Sequence, residues 1–182
     1  MGHKMSSYVA LLRGVGPANP HTRNENLRRV FIDLGFENVQ TVISSGNVLF
    51  ESELNDTKKL ELIIGKQLQK QLDFRSTILV ISKEELEDLF NENPFGDLKD
   101  TPGSKLNVTF LKNKPETELQ FPYQEENEGF TVLGIFNGAI CSVVNLERTR
   151  TPHLMSWLEK EFGKEITTRT WKTVGRILKK LN

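Results

Sequence analysis

Three short stretches of this 182-residue chain combine cations, hydroxyls and glycines in ways that could hold an anion. The first, Arg13-Gly14-Val15-Gly16, follows the apolar run Tyr8 to Leu12 and precedes a helix, and exposed amides with a helix dipole both favour negative charge. It lacks the third glycine of a dinucleotide fingerprint, and the helix begins too late for one, so an arginine at a strand edge with turn-forming glycines is the plain alternative. The second, Ser45-Gly46-Asn47, offers a hydroxyl and an amide at a sheet end, and is equally good turn chemistry. The third is Thr167-Thr168-Arg169-Thr170-Trp171-Lys172. If Thr170 caps the helix that follows, Arg169 and Lys172 stand at its positive end, where a phosphate or carboxylate would be held. Lys172, Arg176, Lys179 and Lys180 then share an exposed face, which as a solvated surface with Trp171 as core filler would need no ligand. The expected ligand-binding residues are Arg13, Gly14, Ser45, Asn47, Thr168, Arg169 and Lys172, with the three stretches meeting at one site.

Other chemistries find less support. Ser45 has no base partner visible in the sequence, and a serine nucleophile needs one, so no catalytic residue is assigned. His3, His21 and His153 are scattered without cysteine or acidic neighbours at ligand spacing, so no metal and no cofactor is expected, and His153 reads as a surface residue. The single cysteine, Cys141, lies in an apolar run and reads as a buried structural thiol in a chain with no disulfide framework. No apolar stretch is long enough to span a bilayer and no signal peptide is evident, which points to the cytoplasm and away from a membrane.

The elements that position these stretches follow from patterning. Leu27, Val30, Phe31 and Leu34 recur at helical spacing after a capping box at Thr22 and Glu25, with Arg28 and Arg29 outward and Gly35 as a stop. Val39 to Val42 and Asn47 to Glu51 form a hairpin through Ser44-Ser45-Gly46. Asn55 to Leu72 is a helix with Leu60, Ile63, Ile64, Leu68 and Leu72 on one stripe, and Thr77 to Ile81 is a buried strand. Ser82 and Glu85 make a second capping box, opening a helix with Leu86, Leu89 and Phe90 inward that ends before Asn93-Pro94. Leu106 to Leu111 alternates as a strand, Lys112 to Gly129 is acidic and poorly patterned, and Asn137-Gly138 turns a hairpin between Phe130 to Phe136 and Ala139 to Val144. A helix from Thr151-Pro152 carrying Leu154, Trp157, Leu158 and Phe162, a strand over Glu165 to Arg169 and a final helix complete the chain.

The first half thus runs β-α-β-β-α-β, the ferredoxin-like unit, and the second repeats much of that succession after Gly129-Phe130. The expected fold is α+β: two tandem ferredoxin-like units arising by duplication, with mainly antiparallel sheets and helices on one face. Residues 1–4 are read as an added leader, 5–83 as the first unit and 84–182 as the second with its connecting and C-terminal helices; a single extended α/β sheet is the alternative. With 37% apolar and 26% charged residues the chain can bury an ordinary core. Its formal net charge is zero, which argues against a general nucleic-acid coat protein, yet residues 148–182 hold nine basic side chains against three acidic, while 84–128 hold twelve acidic against four basic.

Tyr8 to Gly14, Ser45-Gly46-Asn47-Val48-Leu49-Phe50 and Thr167 to Val174, in this order and across nearly the whole chain, resemble the signature stretches of the family catalogued as domain of unknown function 1697. The resemblance implies an α+β fold with ferredoxin-like units, found mainly in bacteria, and carries no activity, substrate or catalytic residue. Here two prolines, Pro17 and Pro20, stiffen a loop that is usually rich in asparagine and glycine, and Thr170 stands where asparagine is usual. Three readings remain: a binder of a small anionic, phosphate- or carboxylate-bearing ligand; an enzyme acting on such a molecule; and a structural or protein-partner-binding module. A nucleic-acid partner keeps only weak support, because the strand Asn47 to Glu51 lacks the paired aromatics of an RNA-binding sheet.

Overall fold

The computed structural model describes residues 2, 4–124, 128–149 and 151–182. Met1 and His3, half of the expected leader, therefore lie outside the described residues. The chain is α+β, with two antiparallel sheets and, among the described residues, five α-helices. Because the strands fall into two separate sheets, the alternative of one extended sheet is overturned. Met1–Leu86 with Arg176–Asn182 form one compact unit, and Glu87–Gly175 the other.

The first unit contains β1 (Ser6–Leu12), α1 (Asn24–Asp33), β2 (Glu37–Thr41), β3 (Asn47–Ser52), α2 (Thr57–Leu72) and β4 (Ile78–Ser82), with strand order β2-β3-β1-β4. Alternation along β1 sends Tyr8, Ala10 and Leu12 to the helix-covered face, where they pack with Val48, Phe50 and Val80 against Leu27, Val30 and Phe31 of α1 and Leu60, Ile64 and Leu68 of α2. Phe50 is the hub: Tyr8, Phe31 and Phe36 place their ring centroids 5.6, 5.4 and 4.5 Å from it, within aromatic pairing range. Glu61, on the inner face of α2, is also buried, and its Oε1 accepts the Val80 amide at 3.1 Å. β4 is an edge strand, so this carboxylate occupies a donor that an unprotected edge would offer to another chain.

Two local expectations are corrected. The Thr22–Glu25 capping box does not form: Asn19 Oδ1 accepts the His21 amide, Thr22 Oγ1 donates to Asn19 O, and the resulting 3-10 turn, Pro20–Thr22, delays α1 to Asn24. Asparagine before proline competes well for these local bonds. Ile63 leaves the apolar stripe of α2 and is 39% exposed. The second capping box does form, with Ser82 N donating to Glu85 Oε2 at 2.8 Å and Glu85 N to Ser82 Oγ at 3.2 Å, at the start of α3 (Lys83–Asn91).

The second unit holds β5 (Ser104–Leu111), β6 (Tyr123–Gln124), β7 (Phe130–Phe136), β8 (Ala139–Asn145), α4 (Thr151–Phe162) and β9 (Ile166–Thr170), in sheet order β6-β7-β8-β5-β9. β6 lies in the stretch read as poorly patterned; two residues are too few to show alternation. Asn137 and Gly138 have φ of 44° and 78°, both positive as a type I′ turn requires. Leu154 and Leu158 of α4 pack on Phe130, Val132, Ile140, Val144 and Ile166. The last helix, α5 (Trp171–Leu181), follows β9 without a loop.

Candidate functional site

The first two stretches are one assembly. β1 ends at Leu12, whose amide donates to Gly46 O at 2.8 Å, so the loop after β1 rests on the turn between β2 and β3. Gly46 has φ +77°, and a Cβ there would stand 2.7 Å from Leu12 O and 3.0 Å from Val15 Cβ, a contact only glycine permits. Arg13 is clamped through its backbone: its amide donates to Thr77 O at 3.1 Å and its carbonyl accepts from Ser76 Oγ. This leaves the Arg13 side chain half-buried and Gly14 exposed.

The turn is braced from within. Asn47 is buried, and its Nδ2 donates to Val42 O and to Ser45 Oγ, both at 3.0 Å. Its amide thus holds the turn, and the Ser45 hydroxyl is an acceptor in that brace. Ile43 carries φ +50°, a sparsely populated region for a β-branched residue, and is 41% exposed. Asn24 Nδ2 donates to Ile43 O at 3.1 Å, tying the first residue of α1 to the same turn. Among the described residues no side chain caps α1 at Arg23; the Asn26 and Leu27 amides donate to Arg23 O at 2.9 and 3.1 Å, which leaves those of Asn24 and Glu25 for solvent or a ligand. Arg13, Gly14, Ser45 and the start of α1 therefore belong to one loop cluster. Ser76 and Asn24 were not foreseen, since each acts through a backbone carbonyl 63 or 19 residues away.

The third stretch lies in the second unit. Thr170 Oγ1 accepts the Thr173 amide at 3.2 Å and caps α5 as expected. Thr168, opposite Thr109 in the β9–β5 register, meets its hydroxyl at 2.7 Å and donates to Met155 Sδ of α4, so it joins the core side of the sheet. Arg169 is half-buried; its Nη1 donates to Thr167 Oγ1 at 2.7 Å and Thr168 O at 3.0 Å, and burial pulls its guanidinium down to about 10. Lys172 is exposed in the first turn of α5. Trp171 stacks on Phe90, centroids 4.2 Å apart, and tilts against Phe95, consistent with the core-filling reading.

Cys141 is fully buried, and burial, followed by the charge of Glu92, pushes its thiol up to about 12. His153 is exposed and contacts the Glu128 carboxylate, a partner that 25 residues of separation hid. Among the described residues no group of three or more His, Cys, Asp or Glu side chains could hold a metal, and no helix is long and apolar enough to cross a membrane.

Comparison with known proteins adds a fold and a family. The family described as "Protein of unknown function (DUF1697)" matches residues 5–138. The structure of the conserved bacterial protein SP0830 from Streptococcus pneumoniae is similar over 98% of this chain and 100% of that one, with a TM-score of 0.73 at 20% identity. No curated protein matches the chain.

Proposed function

Because the chain belongs to the DUF1697 family, whose description names no activity, we propose from the site itself that this protein binds a phosphate- or carboxylate-bearing ligand at the loop cluster of its first unit. The observation that carries this reading is the clamp between Leu12 and Gly46, which brings an arginine, an exposed glycine amide, a serine turn and the uncapped start of α1 together on rigid elements. Arg13 and the cap residue Arg23 supply charge, and the first-turn amides of α1 supply donors. Ser45 and Asn47 shape the turn. In the second unit Thr168 pairs with Thr109 across β9 and β5, Arg169 bonds within β9, and Lys172 contributes positive charge. The enzyme reading uses the same arginine to hold a substrate, while the module reading needs no ligand.

At the finer level we read the fold as two tandem ferredoxin-like units derived by duplication. Support comes from strand order: β2-β3-β1-β4 has the same neighbour relations as β7-β8-β5-β9. The second unit departs from that pattern in having, among the described residues, no helix between β5 and β7. We place the protein in the bacterial cytoplasm, a reading supported by a lone buried cysteine and by the bacterial source of SP0830.

Thermal unfolding with inorganic phosphate, pyrophosphate, nucleotides and phosphosugars at low salt tests the binding reading. A ligand that binds only the folded state at a hundred times its Kd adds about 2.7 kcal/mol. The expected result is a raised Tm with at least one anion, abolished by Arg13→Ala in a variant whose circular dichroism is unchanged. No shift with any anion rejects the reading, and turnover of a shifting ligand favours the enzyme.

A further inference from the structure

A separate surface lies along α5. Its sequence, Trp171-Lys172-Thr173-Val174-Gly175-Arg176-Ile177-Leu178-Lys179-Lys180-Leu181, contains four cations and no acid. Lys172, Arg176, Lys179 and Lys180 are exposed, while Val174 and Ile177 are buried. Among the described residues none of the four cations pairs with a carboxylate. Lys180 Nζ instead donates to Thr41 O at 3.1 Å.

This face runs against the local interests of the helix. Lys172–Arg176 and Arg176–Lys180 are like-charged pairs at i,i+4, which repel, with no intervening acid to relieve them. Lys172 also sits in the first turn, at the positive end of the helix dipole. A helix that breaks both rules at exposed positions signals a use for the charge outside the folded chain.

Spacing identifies the partner. Lys172, Arg176 and Lys179 occupy positions i, i+4 and i+7, so they line about 10.5 Å of helix at ~1.5 Å per residue. A single phosphate cannot meet all three. One strand of nucleic acid advances ~3.4 Å per phosphate, so the same length faces about three consecutive phosphates. Val174 and Ile177 of α5 are buried and Trp171, Leu178 and Leu181 partly so, which leaves no broad apolar face to enter a lipid layer, unlike a membrane-surface helix. We propose that the exposed face of α5 binds the phosphate backbone of nucleic acid, without reading its sequence.

Fluorescence anisotropy of a labelled mixed-sequence 20-nucleotide DNA, single-stranded and paired, between 20 and 200 mM NaCl tests this. With three phosphate contacts, the slope of log K against log salt is about −2 for the single strand and about −2.7 for the duplex. The variant Lys172→Gln/Arg176→Gln/Lys179→Gln, checked for unchanged circular dichroism, loses most of this slope, whereas Lys114→Gln on the 112–119 loop keeps it. Should the triple variant fail to fold, single replacements each reducing the slope by ~0.7–0.9 carry the same test. Absence of binding at 20 mM NaCl, or an unchanged slope in the variants, overturns the proposal. So does equal competition by poly-glutamate, which would make the surface a site for an acidic protein, or capture on phosphatidylserine vesicles without DNA binding.

Discussion

Leu12 and Gly46 lock two distant segments together: the Leu12 amide donates to Gly46 O at 2.8 Å, and a methyl group on Gly46 would lie 2.7 Å from Leu12 O. The strand that leads to Arg13 and the turn that carries Ser45 are thereby held at one depth.

Gly46→Ala breaks this lock. The left-handed backbone and the clash together cost about 2–5 kcal/mol, read as a lower urea midpoint with unchanged m. A loss below about 0.5 kcal/mol would mean that the loop yields at little cost, and the proposed clamp would lose its basis.

Asn47→Ala separates the turn's brace from a ligand contact. It strips the buried Val42 carbonyl of a donor and costs about 1–3 kcal/mol. Arg13→Ala, by contrast, is expected to remove the anion-dependent rise in Tm. The two variants compared in one thermal-shift series distinguish a scaffold residue from a contact residue.

Thr170→Ala removes the cap of α5 and costs about 1 kcal/mol, whereas Thr170→Asn, whose side chain also caps, stays within a few tenths of the parent. Equal losses in both variants would show that the Thr170–Thr173 hydroxyl contact, 3.0 Å long, matters more than the cap.

Cys141 titrates at about 12 in the fold against an ordinary 9.0. A raised acid pKa means the folded state keeps a proton that the unfolded state releases, so this stabilisation is complete below pH 9 and is lost as pH rises toward 12. Cys141→Ala therefore flattens the alkaline fall in stability. In the native protein the thiol resists a disulfide reagent at pH 9 and reacts once the chain is unfolded in urea. Rapid native reaction would contradict its burial.

Much of the fold was legible because the deciding interactions are local. The Ser82–Glu85 box spans three residues, Asn137-Gly138 is itself the turn, and Thr170 reaches only to Thr173. Thr22 misled for the complementary reason: two local schemes competed, and Asn19 beside Pro20 took the hydrogen bonds first. β6 carried no periodicity to read, and Glu61 shows only as a polar residue on a helix until the β4 edge above it is known.

By itself, the sequence determined the α+β class, most element positions and the membership suggested by its three stretches, and it pointed to seven residues as candidates for a binding site. Which of those residues are spent on holding the fold is visible only in the folded chain. Asn47 and Thr168 carry polar groups that serve in binding or in scaffolding with equal ease; the turn itself spent the first on Val42, five residues back, and the folding of β9 onto β5 spent the second on Thr109, with Met155 of α4. The backbone of Arg13 is satisfied by Thr77 and Ser76, more than sixty residues away. A hydrogen-bonding group has no role until its partner is fixed, and such partners are chosen by the folding of distant segments onto one another.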